Sequence, residues 1–202
     1  MAERARSTHP ADAWEPEIVQ TAPPGFLSPR QRSMYRFGFG LFVLAESMIF
    51  VTLISARFLL AGSGHPGALD QALAAVLTGI MVASLVPVRL AGRSAARGRM
   101  APVPAYLLSA ALLGAFVVAG VFYGWTGLGI PRDSRFGEVF YTATGFHAVH
   151  LVIGLAVMAG LAVQASRGRF TAASRFGLVA GEIYWWFLVV VWMALYVALY
   201  AL

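Results

Sequence analysis

The sequence contains no cysteine and no lysine, and only 12% of its 202 residues are charged. Without thiols there is no disulfide scaffold, no zinc–thiolate centre and no thiol nucleophile. With so few charges against 59% apolar residues, there is too little polar surface to cover a water-soluble domain. Long apolar runs are plentiful instead. Five of them, at 37–60, 68–90, 104–125, 139–163 and 177–202, meet the roughly 20 helical residues that a hydrocarbon core of about 30 Å requires. None alternates apolar and polar residues as a spanning strand would, which excludes a transmembrane barrel. The expected fold is therefore all-α, an integral membrane bundle of five transmembrane helices over residues 37–202.

Residues 1–36 mix both signs of charge with Pro10, Pro16, Pro23, Pro24 and Pro29 and hold no apolar stretch. They read as a polar, extended arm rather than a cleavable secretion signal. Gly62, Gly64, Pro66 and Gly67, then Pro102 and Pro104, then Gly127, Gly129 and Pro131 punctuate the connections, as helix ends demand.

The net charge of +6 rests on 15 arginines against nine acids, and the placement of those arginines argues against nucleic acid as a partner. Twelve fall in the arm, the second connection and the fourth connection: Arg4, Arg6, Arg30, Arg32 and Arg36; Arg89, Arg93, Arg97 and Arg99; Arg167, Arg169 and Arg175. On the opposite side the third connection has only Arg132 and Arg135. The positive-inside tendency puts the N-terminus in the cytoplasm and Leu202 outside. Near the outer end of the first helix, Arg57 can snorkel and pair with Asp70. Arginine without lysine, with abundant alanine and glycine, points to a GC-rich bacterial genome.

Ionisable residues deep in a bilayer cost roughly 3 kcal/mol or more unless partnered, so they mark sites. Three qualify: Glu46 in the first helix, and His147 and His150 in the fourth. Counting about 1.5 Å per residue, Glu46 is about 14 Å from the cytoplasmic start at Phe37, and His147 and His150 are about 14 and 18 Å from the outer start near Glu138. All three share the level of the midplane, and they can meet if their helices touch. A carboxyl bonded to an imidazole would offset much of the burial cost. The pair could serve proton handling, or only clasp two helices. The two histidines at i, i+3 cannot supply both axial ligands of a bis-histidine haem. The remaining histidines, His9 and His65, belong to the arm and a loop, so no metal or cofactor is expected in this chain. Glu182, with Tyr184, Trp185 and Trp186, reads as an interfacial anchor. Trp192 reads as core or subunit contact, and Gly120 and Gly124 as close helix packing.

Three segments carry a resemblance. Ala45-Glu46-Ser47-Met48-Ile49-Phe50 resembles the first helix of the short bacterial form of haem-copper oxidase subunit III. Phe140-Tyr141-Thr142-Ala143-Thr144-Gly145-Phe146-His147-Ala148-Val149-His150 resembles that family's most distinctive stretch. Tyr184-Trp185-Trp186-Phe187-Leu188-Val189-Val190-Val191-Trp192 is similar to its closing motif, with Trp186 and Val189 where the family usually has His and Asp. The resemblance spans 37–202 and implies a non-catalytic subunit of a terminal oxidase in a bacterial inner membrane. In such a complex oxygen is reduced to water with proton translocation, and electrons come from cytochrome c or quinol. It further implies haem and copper in subunits I and II, bound phospholipid, and a supporting role in assembly and proton uptake. By the same resemblance, Glu46 matches the family's buried, carbodiimide-reactive Glu, and His147 and His150 match its paired His. An accessory subunit of nitric oxide reductase, which shares the fold, and a small proton-coupled transporter are the competing readings.

Overall fold

The computed structural model describes residues 29–62, 69–127, 129–172 and 174–201. The histidines at 9 and 65, most of the arm, and Gly64, Pro66 and Gly67 lie outside the described residues. All regular structure among the described residues is helical, and five segments are long and apolar enough to cross a membrane. The first span is α1, Pro29–Ala61, which begins about two turns before the apolar run at Phe37. The second span is two helices, α2 at Gln71–Ala83 and α3 at Leu85–Ala96. The others are α4 at Val103–Gly127, α5 at Arg135–Ser166, and α6 at Phe176–Tyr196, which ends in a π-helical turn, Val197–Ala201.

The break in the second span has a covalent cause. Pro87 lacks an N–H and its ring clashes with the carbonyl four residues earlier, that of Ala83, so the regular ladder is interrupted there. Ser84 fills the joint: its N–H donates to the Ile80 carbonyl at 2.9 Å and its hydroxyl to the Met81 carbonyl at 2.6 Å. Asp70 caps α2 by accepting from the Leu73 N–H at 2.8 Å. At the opposite end, α3 and α5 finish alike. Gly98 and Gly168 take positive φ, +73° and +69°, and each lies between two arginines. A positive φ is open to glycine at little cost, and the arginines complement the helix C-termini.

The second span, α4, α5 and α6 form a ring of packed helices, and α1 lies in the groove between α5 and α6. Small residues set the approach distances. A methyl group at Gly120 would overlap a Leu77 methyl, which fits the packing role expected of that glycine.

Candidate functional site

α1 and α5 run antiparallel, which brings Glu46 level with the middle of α5. Its Oε2 lies 2.9 Å from Nε2 of His150. On its other side the His150 ring donates from Nδ1 to the Phe146 carbonyl at 2.8 Å. That second bond fixes the tautomer, because a carbonyl only accepts and Nδ1 must therefore hold a proton. Nε2 then meets Glu46 in one of two ways: it accepts from a carboxylic acid, or an imidazolium donates to a carboxylate. A bare Nε2 facing a carboxylate would oppose two lone pairs at 2.9 Å. Either way the contact is a hydrogen bond that ties α1 to α5 and offsets part of the cost of burying polar atoms.

The pair borders a cavity of about 340 Å³ between α1, α5 and α6, walled by Phe39, Phe42, Ile153, Val157, Gly181 and Tyr184 among others. Tyr184 closes one side, and its hydroxyl donates to the His150 carbonyl at 3.4 Å. On the other side Phe50, buried among Phe146, His150 and Phe187, shields the imidazole.

His147 does not join Glu46. Three residues before His150, it is rotated about 60° around the helix axis. It points instead at the Trp192 ring, 5.3 Å away between centroids, and is fully buried with no hydrogen bond to either ring nitrogen. The two histidines of one motif therefore occupy different environments, one polar at a cavity and one packed among aromatic rings.

The tryptophans expected at the interface divide. Trp185 is not an interfacial anchor: its ring is fully buried at the centre of the bundle, and its indole N–H donates to the Ser84 hydroxyl at 2.8 Å. Its slot exists because Gly114 and Gly154 lack side chains; a methyl at Gly114 would sit 2.7 Å from the ring. Trp192, seven residues on and so on the same face of α6, is core and donates to the Thr78 hydroxyl at 3.0 Å. Trp186 is partly exposed, under the Arg89 guanidinium at 5.6 Å. Glu182 also meets Arg89, at 3.4 Å, and lies across Gly92 on α3. This makes it a tie between α3 and α6.

Arg57 reaches toward the outer end of α1, where it meets protein rather than solvent. Its side chain is buried, its guanidinium lies 4.7 Å over the Phe136 ring, and it donates to the Gly62 carbonyl. Asp70, expected beside it, is engaged in capping α2. Sequence reasoning missed Ser84 and Thr78, read Tyr184 only as part of an interfacial anchor, and read Arg89 only as a topology-setting charge. The pairing of Arg89 with Glu182 was signalled, since the two sit about equally deep at the same end of their spans. Among the described residues no group of three or more His, Cys, Asp or Glu side chains is disposed to hold a metal ion.

The family model for cytochrome c oxidase subunit III matches residues 13–202. The chain belongs to this family. Cytochrome c oxidase subunit 3 of Synechocystis is 31% identical over 176 residues, covering 82% of this chain and 75% of that protein. The protein of the same name from Thermostichus vulcanus is 28% identical, covering 82% of this chain and 86% of its own length. That of Coturnix japonica is 27% identical, covering 93% and 77%. This subunit III is thus a multi-pass membrane protein and an accessory part of a multi-subunit terminal oxidase. Neither a nitric oxide reductase subunit nor a small transporter is favoured by these matches.

Proposed function

We propose that Glu46 and His150 are the proton-holding element of a lipid-filled cleft, through which this subunit III steadies proton uptake by its neighbour. In this reading subunits I and II carry the haem and copper, and the complex reduces oxygen to water with proton translocation across a bacterial cytoplasmic membrane. The arginine-rich connections face the cytoplasm. One observation supports it above the others: a carboxyl hydrogen-bonded to an imidazole borders a cavity walled largely by apolar residues and wide enough for an acyl chain. A mere clasp between helices needs the hydrogen bond but not the cavity.

The test is Glu46→Gln in the intact oxidase. The glutamine amide can donate to Nε2 of His150, so assembly and haem content are expected to hold. Proton uptake is expected to slow, and activity to decline sooner during sustained turnover. Unchanged proton pumping and unchanged endurance, with assembly alone reduced, would reduce the pair to a clasp.

A further inference from the structure

The arginine-rich end of the bundle carries charge that nothing described there balances. α3 and α5 finish in twin turns, in which the arginine after the glycine donates its N–H back to a helical carbonyl: Arg99 to Ser94 at 2.9 Å, and Arg169 to Gln164 at 3.1 Å. With the positive φ of Gly98 and Gly168, these bonds set the backbone of two matching loops that present Arg97, Arg99, Arg167 and Arg169. All four are exposed, as is Arg93, and among the described residues none of the five is in an ion pair. A helix C-terminus is worth about half a negative charge, so the two helix ends offset only about one of these positive charges. Glu182, the acid at this end among the described residues, is already engaged by Arg89.

Matching negative charge exists in the chain itself. Three of its nine acids fall within Asp12-Ala13-Trp14-Glu15-Pro16-Glu17, and no arginine interrupts the sequence between Arg6 and Arg30. The fold starts that arm beside its complement, because the Tyr35 ring near the start of α1 lies 5.8 Å from that of Phe176, where the α5–α6 connection ends. At about 3.1 Å per residue for a proline-rich chain, the length from Glu17 to Pro29 reaches about 37 Å and that from Asp12 about 53 Å. Neighbouring helix axes are about 8 to 10 Å apart, so both loops are within range. We infer that Asp12–Glu17 folds back as a strap across the Arg97–Arg99 and Arg167–Arg169 loops, with its carboxylates on their guanidiniums. Exposed ion pairs are individually weak, but a tether holds the segment at an effective concentration in the millimolar range, where a few such pairs suffice. Anionic lipid headgroups compete for the same arginines. The inference rests neither on the role of Glu46 nor on which side of the membrane this end faces.

A crosslinker in the arm reads out what it touches. Trp14 is replaced by a photoreactive phenylalanine in the assembled oxidase, which is placed in nanodiscs of phosphatidylcholine and phosphatidylglycerol, and crosslinked peptides and lipids are identified by mass spectrometry. Crosslinks to residues 97–102 and 167–172 are expected to dominate. Adding Asp12→Asn, Glu15→Gln and Glu17→Gln together keeps every arginine, and with them the membrane orientation. These three changes should lower the yield about tenfold, which corresponds to about 1.4 kcal/mol spread over three exposed pairs. High salt should lower it in the same direction. Arg167→Gln with Arg169→Gln should lower it from the basic side, with the haem spectrum and retention of the subunit verifying assembly. Crosslinks mainly to lipid would overturn the inference and assign the arginines to headgroups; crosslinks mainly to another subunit would overturn it in favour of a partner for the arm. An unchanged yield in the neutralised triple variant would also overturn it.

Discussion

Two seams of this bundle solve the problem of a polar atom in hydrocarbon in opposite ways. Between the second span and α6, two indole N–H groups meet two hydroxyls, Trp185 with Ser84 and Trp192 with Thr78. Every group there is neutral, and Ser84 and both indoles are closed off by packing. Between α1 and the α5–α6 groove, one titratable pair borders an open cavity. Just 6% of the apolar window of α1 is buried, against 56% for α6. The tryptophan seam gains from dispersion and close fit, with the hydrogen bond only fixing register. The Glu46 seam has little packing to rely on, and its polar pair supplies much of the specific contact. The first seam is built for rigidity; the second leaves room beside a hydrogen-bonded carboxyl.

The contrast breaks most visibly if the large ring is removed. Trp185→Ala leaves a void framed by Gly114 and Gly154, which have no side chains to fill it. The expected loss is about 3 to 5 kcal/mol, as for other large aromatic truncations. Denaturant titration of the purified complex, followed by release of this subunit, measures it. A loss below about 1 kcal/mol would mean that Trp185 is not the keystone of its seam.

Next in size is Glu46→Leu, which removes the partner of Nε2 while Nδ1 stays bonded to Phe146. An unsatisfied buried acceptor costs about 1 to 3 kcal/mol. Glu46→Gln restores a donor and should recover most of that loss in the same titration. Equal losses in both variants would show that the charge, not the hydrogen bond, holds α1 in its groove. By comparison Ser84→Ala, which leaves the Trp185 ring seated but its N–H unpaired, should cost about 0.6 to 1.7 kcal/mol, the range of hydrogen bonds between membrane helices. That ordering, with the carboxyl truncation above the hydroxyl truncation, distinguishes a seam that depends on its polar pair from one that depends on its fit.

Much of this was legible in the sequence, and the limits are physical. The five spans followed from run length alone. The shared level of Glu46 and His150 followed from rise per residue, since two antiparallel helices entered from opposite faces must match depth near the midplane. The divergence of His147 was implicit in the helical angle, but choosing which histidine faces α1 needs the rotation of α5, which sequence periodicity does not set when both faces are apolar. Trp185 misled for a related reason. A tryptophan beside Glu182 looks interfacial until the gap made by Gly114 and Gly154, on two other helices, is known. The reading of Arg57 as reaching the membrane surface missed Phe136, at the outer start of the neighbouring α5, whose ring face takes the guanidinium. Depth could be counted along one chain; azimuth and cross-helix vacancies could not.

The smallest expected effect sharpens the comparison from the membrane edge. Arg89 and Glu182 join α3 to α6 as the tryptophans do, yet 54% of the Arg89 side chain and 22% of that of Glu182 remain exposed. Water and salt screen such a pair, so Arg89→Gln should cost at most about 1 kcal/mol, even with the stacking on Trp186 included. The loss should shrink further in high salt, whereas that of Ser84→Ala should not. Gly92→Ala provides the companion measurement. Its methyl would first meet the mobile end of Glu182, at 2.5 Å, so the carboxylate can swing aside and the penalty should match loss of the ion pair alone. A much larger penalty at Gly92 would mean that the backbones of α3 and α6 cannot part there, and that the close-fitting seam extends from Trp192 down to the headgroups.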